Sequence, residues 1–420
     1  MIIKNFEKLA TTPLRKSALE ILDAGLAALN TEQIMRQSMH LESDRLRILN
    51  HTIDLSQYSG VVVIGFGKAA IGMGTAVEAI LGDRIKNGFI LDRKQGSFRH
   101  LKSLLASHPS PTQANAMATD EVIEFLKRVD RKALILVLIS GGGSAMLTAP
   151  YNISVDEKAA IARSLMDAGA TIQELNIVRK HLSRIKGGRI VQYVYPAKVV
   201  SVMLSDVIGN DFSTIASGPT AFDPSTSADA KEVLAKYRLS PNLDFSESPK
   251  DKNLFEHVEN ILVGDVRLGL RPMEDRAKEL GFNPTIVSNE LAGNADEIGA
   301  TLLSQLKPGQ ALLAAGETTV EVMGKGQGGR NQQLVLSALP KVQKDQVLLS
   351  VNTDGHDNSD VAGAIGDAAT AKRARNKKLD LSKFAKANDS YTFFKEVGDQ
   401  VVTGELESNF ADVMLCLAKK

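Results

Sequence analysis

Tryptophan is absent from this chain, and aromatic residues make up only 5% of its 420 positions. A surface that stacks nucleic-acid bases needs rings, so single-stranded nucleic-acid recognition is excluded as an expectation. Cysteine occurs once, at Cys416. No intrachain disulfide can form, and no His/Cys spacing suits zinc. Cys416 lies in the apolar stretch from Val413 to Leu417 and reads as core, because a reactive thiol needs a basic, part-exposed setting. Net charge is also lacking: 50 Lys and Arg oppose 49 Asp and Glu, giving +1. There is no global pull toward nucleic acid or an anionic membrane, so any anion-binding site must be local. The longest apolar run, Ala133 to Ile139, is far short of the roughly 20 residues that cross a bilayer. The first residues carry no signal-peptide apolar core, and a cytoplasmic location is expected.

What is present is a series of short apolar runs, each followed by turn residues. Val61–Ile64, Gly88–Leu91, Ala133–Ile139 and Val199–Leu204 read as buried strands. Helical patterns lie between them at Ala69–Leu81, Ala114–Arg128 and Val155–Ala168. Leu14 to Leu29 is an amphipathic helix by spacing. Apolar strands alternating with helices predict a doubly wound, Rossmann-like, mostly parallel sheet covered on both faces. The segment Leu239 to Glu256 is polar, holds two prolines and lacks a period, which places a domain boundary there. A second series follows at Ile261–Val263, Pro284–Val287, Ala311–Ala315 and Val347–Val351. The chain is thus expected to form two α/β domains, 1–240 and 257–420, with the active site in the cleft between them.

Ligands of open parallel sheets gather where strands end, and the unusual sequence is concentrated at such points. Gly65-Phe66-Gly67-Lys68 follows the first strand; glycines admit close approach of a ligand, and Lys68 adds a charge. The spacing is neither a Walker loop nor GxGxxG, although Asp92 at the next strand end keeps a dinucleotide reading open. Ser140-Gly141-Gly142-Gly143-Ser144 follows the most apolar strand and suits an anion nest; it does not match the GxSxG elbow of a serine hydrolase. Gly324-Lys325-Gly326-Gln327-Gly328-Gly329-Arg330-Asn331 enters a helix, and Arg330 can fork to two phosphate oxygens. A plain turn is the competing explanation at each loop.

Acids cluster at strand ends as well: Asp206 and Asp211, Glu317, and Asp354, Asp357 and Asp360. Such acids can activate a hydroxyl or hold Mg²⁺ through water, or simply cap loops. His108, in a rigid Pro-rich loop, has a site role and a structural one in balance. Arg179 and Lys180 open a basic stretch that runs to Arg189; it suits a carboxylate or phosphate, or a solvated helix face. Together these parts imply phosphoryl transfer, in which positioning and charge neutralisation do most of the work.

In this order the motifs resemble the glycerate 2-kinase family, whose C-terminal half is named MOFRL. The matching stretches are GFGKAA from Gly65, SHPSP from Ser107, SGGGSAML from Ser140 and NIVRKHLSRIKGG from Asn176. SDVIGND from Ser205, IASGPT from Ile215, GETTVEVMGKGQGGRNQQ from Gly316 and TDGHDNSDVAGA from Thr353 complete the set. The resemblance implies a C-terminal MOFRL-type α/β domain, ATP with Mg²⁺ as donor, and phosphorylation of D-glycerate, or a related hydroxy acid, at its 2-hydroxyl. It points to Lys68 and Arg330 as essential basic residues and matches Asp206, Glu317 and Asp354 to acidic motif positions; our own division of these acids makes Asp206 the catalytic base. Gly65, Gly67, Ser140, Gly141, Gly142, Gly143, Ser144, Gly328, Gly329, Asn331, Arg179 and Lys180 are expected to bind substrate or nucleotide, and Glu317 and Asp354 to face Mg²⁺. Two departures stand out. Gln333 replaces a Glu, and Thr403 to Asn409 keeps only Thr403, Gly404 and Asn409 of the family's segment. Two other functions compete: a hydroxypyruvate-reductase-like NAD(P)H oxidoreductase, and a non-catalytic binder of nucleotide or sugar acid. A small-molecule substrate is expected, with no nucleic-acid or membrane partner; the oligomeric state is left open, a homodimer included.

Overall fold

The computed structural model describes every residue except Ser240, Pro241, Asn242 and Asn409, together with the side chain of Ile208. Part of the expected boundary segment and the last residue of the altered Thr403–Asn409 stretch therefore lie outside the described residues. The chain forms two compact units, named here by their place in the sequence. The central unit is Thr31–Val263; the terminal unit joins Met1–Asn30 to Gly264–Lys420.

The central unit begins with an antiparallel meander, β1 (Met39–Glu42), β2 (Arg45–Ile48) and β3 (His51–Asp54). Its main sheet holds β4 (Val61–Phe66), β5 (Ile85–Asp92), β6 (Lys102–Leu105), β7 (Leu134–Ile139), β8 (Val199–Leu204) and β9 (Val258–Gly264). The spatial order is β6-β5-β4-β7-β8-β9, and the ladders from β6 to β8 are parallel. Every residue of β4, β7 and β8 is buried, which is why they read as continuous apolar runs rather than alternating ones. Ile135, Val137 and Ile139 alternate into one core layer with Val62, Ile64 and Phe66. The order reverses between β4 and β7. That adjacent pair is the topological switch point, where side chains and loops diverge to leave a crevice at the strand ends. The first two glycine loops follow these two strands.

The terminal unit has a mixed sheet. It contains β10 (Asn283–Asn294), β11 (Gln310–Thr319), β12 (Gln346–Val351), β13 (Gly363–Asp367), β14 (Gln400–Val401) and β15 (Asp412–Ala418), in the order β10-β11-β15-β12-β13-β14. Only β10 and β11 pair in parallel; β15 runs antiparallel to both its neighbours. Cys416 is fully buried in this central strand, as its apolar surroundings predicted.

The chain divides differently from the expected 1–240 and 257–420. The helix Pro13–Ala28 belongs with the C-terminal half. Gly25 and Gly269 let it approach the helix Arg267–Glu279 closely: a Cβ on Gly269 would lie 3.0 Å from Leu29 and 3.2 Å from the Gly25 carbonyl. Arg15 supplies the second reason. It is fully buried and donates to Asp367 (2.7 Å) and Asp399 (2.8 Å), so it can sit only where those carboxylates are. The run Ile261–Val263, expected to open the second domain, is instead part of β9 at the edge of the first sheet.

Candidate active site

In the central unit the loops after β4 and β7 are bolted together through their own backbone. Lys68 N–H donates to the Gly141 carbonyl at 2.9 Å, and Ala69 N–H to Ser140 Oγ at 3.0 Å. Gly67 N–H donates to Leu91 O, and Ile71 N–H to Asp92 Oδ2 at 3.1 Å. The N–H groups that were expected to receive an anion beside Gly65 and Gly67 are thus committed to the protein. The glycines serve packing: a Cβ on Gly65 would lie 2.6 Å from Ile90 Cδ1, and one on Gly67 (φ +121°) would collide with Ser140. Ser140 is a fully buried tie between loops rather than a ligand-facing residue. What this strand end offers a ligand is the Lys68 side chain.

Asp92 bears on the dinucleotide reading. Its buried carboxyl sits at the start of the helix Ala70–Leu81, and burial pushes it up to about 6, with the Ile71 and Arg93 N–H groups pulling the other way. A pyrophosphate would have to occupy that helix end. An acid already there opposes it.

The second loop retains open donors. Among the described residues the N–H groups of Gly141, Gly142 and Ser144 have no protein acceptor, whereas Gly143 N–H bonds Ser140 O. Gly142 is left-handed (φ +80°), and a Cβ there would lie 3.0 Å from His108 and 3.1 Å from Lys68 Cγ. His108 and Lys68 therefore flank the same glycine. Ser144 Oγ is 3.2 Å from Ser217 Oγ, which donates to Asn176 Oδ1 at 3.0 Å. Ala216 and Ser217 both hold positive φ (51° and 62°), a costly conformation for residues with a Cβ. This strain orients the Ala216 carbonyl toward Lys186 Nζ at 3.3 Å.

The basic stretch separates into two groups. Lys180 pairs with Asp223 at 3.3 Å inside the protein. Arg184 pairs with Asp120 at 2.6 Å, and Arg189 donates to the carbonyls of Lys180, Lys186 and Ser246. Arg179, Lys186 and Lys158 are different: among the described residues none of them forms an ion pair. Lys158 Nζ is buried without any hydrogen-bond partner. Burial, and then repulsion from Lys186 and Arg179, hold Lys158 well below the ordinary lysine range. Burial, and then Arg179, lower Lys186 to about 7. Lys158 and Lys186 were missed as candidates. Lys186 lies within the basic motif, but nothing in the sequence separates it from its paired neighbours. Lys158 stands in an unremarkable helix whose burial only the tertiary structure reveals.

Asp206 is partly exposed just beyond β8. Asp211 caps its own turn, accepting from Ser213 N–H at 2.9 Å.

In the terminal unit, Arg330 opens the helix Arg330–Ala338 and is held by two carboxylates, Asp412 at the start of β15 and Glu317 in β11. Burial works against the Arg330 charge, but Asp412 and Glu317 outweigh it and raise its pKa further. Burial also pushes the Asp412 carboxyl up to about 7, although Arg330 pulls it down. The expected anion site at this helix start is filled from within. Asp357 accepts from Asn331 N–H (3.0 Å) and Gln332 N–H (2.8 Å), and from both side-chain amides. Asn331 is fully buried and bonded to Asp357 and Ser350. Gly329 lies so close to Asp357, and Gly328 to Ser390, that no Cβ fits. Asn331 is thus committed to the loop, whereas the Gly328 and Gly329 N–H groups have no acceptor among the described residues. Gln333, the departure from Glu, donates to Asp296 at 2.8 Å and to Ala385 O, contacts a carboxylate in its place could not make.

Glu317 is bonded to Arg330, and Asp354 Oδ1 accepts from His356 N–H at 2.9 Å. Among the described residues no three His, Cys, Asp or Glu side chains gather as a metal cage. The residues present thus form no cage for a resident metal, and the expectation that Glu317 and Asp354 face Mg²⁺ gains no support from one.

Comparison with known proteins accounts for this arrangement. The MOFRL family matches residues 310–412, and a domain of unknown function (DUF4147) matches 17–246. A D-glycerate 2-kinase of Thermotoga maritima is 35% identical over 96% of this chain and 98% of its own. The chain belongs to the glycerate 2-kinase family. A crystal structure of glycerate kinase from Thermotoga maritima superposes with a TM-score of 0.82 at 33% identity, covering 96% of this chain and 99% of that one. A glycerate 2-kinase of Pyrococcus horikoshii is 30% identical over 96% of this chain and 97% of its own. A protein of Agrobacterium vitis called a putative hydroxypyruvate reductase is 35% identical over 85% of this chain and 86% of its own. For this glycerate 2-kinase family member the reductase name finds no support in the Gly65–Lys68 loop, whose N–H groups are spent and whose helix is capped by Asp92.

Proposed function

We propose that this chain transfers the γ-phosphoryl group of ATP to the 2-hydroxyl of D-glycerate, giving 2-phosphoglycerate and ADP. The observation that carries the reading is the switch point of the parallel sheet. There Lys68, three unsatisfied N–H groups and a set of uncompensated cations collect in a chain with no net charge to spare. Such a site recognises anions, and phosphoryl transfer is mainly the placing and neutralising of anions. The kinases named among its relatives support the same reaction.

In this reading Lys68 holds a phosphate of the donor while the Gly141, Gly142 and Ser144 N–H groups receive oxygen. Asp206, past the end of β8, takes the proton of the attacking hydroxyl. The family resemblance gives Arg330 a catalytic role as well, which requires a share of its bonding to Glu317 and Asp412 to be exchanged. Mg²⁺ enters as part of the nucleotide substrate, as is usual for an ion that keeps waters and phosphate oxygens as ligands.

The test feeds purified protein with ATP, Mg²⁺ and D-glycerate and then adds enolase alone. Phosphoenolpyruvate appearing without a mutase identifies 2-phosphoglycerate. NADH oxidation with hydroxypyruvate, and no ADP from glycerate, would sink the proposal in favour of a reductase.

A further inference from the structure

Two buried lysines of the central unit, Lys158 and Lys186, stand near the half-buried Arg179, with no carboxylate among the described residues to answer any of the three. Lys158 is 8% exposed and Lys186 1% exposed. Lys158 Nζ has no partner at all, and Lys186 Nζ reaches only the Ala216 carbonyl at 3.3 Å. Arg179 stands one helical turn from Asn176 on the helix Ile172–His181, so the two share a face. Elsewhere in this unit buried charge is answered: Lys180 has Asp223, and Arg189 has three carbonyls. An unanswered buried cation is among the most destabilising features a fold can retain. Three together mark a place where the answering charge arrives with a ligand.

We propose that Lys158, Arg179 and Lys186 form the pocket for the carboxylate of the acceptor acid, with Ser144, Ser217 and Asn176 beside it to receive hydroxyls. The inference rests on the kinase reading and deepens it by saying which side chains select an acid over a neutral alcohol. The order of groups along the site supports it. Lys68 and the open N–H groups of Gly141 and Gly142 lie at the ends of β4 and β7. Next comes the neutral chain of Ser144, Ser217 and Asn176, joined at 3.2 and 3.0 Å. Beyond Ala216, whose Cβ would lie 3.0 Å from one on Gly143, is Lys186. Phosphate-binding groups, then hydroxyl-binding groups, then cations match a short acid that carries its hydroxyl on the carbon next to the carboxylate. The triphosphate, bulky and metal-bound, is the poorer occupant of a pocket whose lysines are almost wholly enclosed. Burial, with repulsion from Arg179 and, for Lys158, from Lys186 as well, holds both lysine charges down, so an incoming carboxylate restores what the fold suppresses.

Calorimetric titration with D-glycerate, and separately with ADP, tests this without requiring turnover. Lys158→Met, Lys186→Met and Arg179→Met are each expected to weaken D-glycerate about 10- to 100-fold, the effect of losing one charged hydrogen-bond partner, while ADP changes less than about threefold. Lys186→Arg should recover most of the loss. Thermal unfolding gives a readout that a structural role would not produce: Lys158→Met should raise the midpoint of the free protein, because it removes an unanswered charge. Should a lysine variant fail to fold, Arg179→Met, at a partly exposed position, carries the test. Weakened ADP with intact glycerate binding would assign the pocket to the donor and overturn the inference. Unchanged binding of both would make the cations structural and overturn it as well. The two readings also fail separately. Protein that makes ADP from glycerate while its variants bind the acid normally loses the pocket and keeps the kinase. Protein that binds the acid through these residues yet makes no ADP keeps the pocket and loses the kinase.

Discussion

The two units handle basic residues in opposite ways. In the terminal unit, Arg15 is answered by Asp367 and Asp399, and Arg330 by Glu317 and Asp412. In the central unit, Lys158, Arg179 and Lys186 have no such partners among the described residues. Both units carry glycine loops at strand ends, and each keeps some N–H groups without an acceptor among the described residues: Gly141, Gly142 and Ser144 after β7, Gly328 and Gly329 before the helix Arg330–Ala338. The Gly324–Gly329 loop spends three of its donors on the segment 387–389: Gly324 N–H bonds Asn388, Gly326 N–H the Ala387 carbonyl, and Gln327 N–H Asp389. A glycine-rich loop thus reports close approach of something, and in one unit that something is the chain itself. Charge left unanswered is the better sign of a ligand.

The largest test of this contrast is catalytic. Lys68→Ala should lower kcat about 10²- to 10³-fold in the ADP-release assay, the range for losing one preorganised group that stabilises transferring charge. Arg330→Ala should do the same if its ion pairs are exchanged for phosphate in the reaction. Full activity in Arg330→Ala would leave Arg330 a structural residue and make the contrast between the units absolute. Next in size is stability. Arg15→Met strands two buried carboxylates, and denaturant unfolding should show a loss of about 3–5 kcal/mol. A loss under 1 kcal/mol would mean that water or neighbours answer Asp367 and Asp399.

The pH dependence sharpens the comparison further, because the two units contribute with opposite sign. Lys186 is lowered to about 7 by burial and then Arg179. Between about 7 and its unfolded value near 10.4, the unfolded chain binds its proton and the folded chain does not. Stability of the free protein therefore rises with pH in that window, by up to about 1.4 kcal/mol per pH unit. Asp412, raised by burial to about 7, is protonated when folded and ionised when unfolded between about 4 and 7, so its contribution falls as pH rises there. Lys186→Met and Asp412→Asn should each remove one limb of the profile of unfolding free energy against pH. Limbs that persist in these variants would discard the assignments. The smallest expected effect is at Asp357→Asn, which weakens the cap of the helix Arg330–Ala338 by about 1–2 kcal/mol, measured as a shift of the denaturation midpoint.

Much of this was legible in advance. Apolar runs without alternation predicted β4, β5, β7 and β8 and their cover of helices, since burial on both faces leaves no polar positions. Glycine loops marked the ends of β4 and β7. The meander β1–β3, with one or two buried positions in each four-residue strand, gave no period to detect. The placing of Pro13–Ala28 with the far end of the chain was invisible too, because the partners of Arg15 are about 350 residues away. Among site residues, Arg179 and Lys180 were singled out together, because adjacent cations look alike in a sequence. The fold pairs Lys180 with Asp223 and leaves Arg179 without an ion pair among the described residues.

Local pattern alone determined the α/β class, the parallel sheet of the central unit and the strand ends worth inspecting, because hydrophobic period and glycine placement are properties of neighbouring residues. Only the tertiary structure decided which donors and charges remain for a ligand. Whether an N–H or an ammonium is satisfied depends on groups brought from distant parts of the chain, and no window of sequence contains both partners.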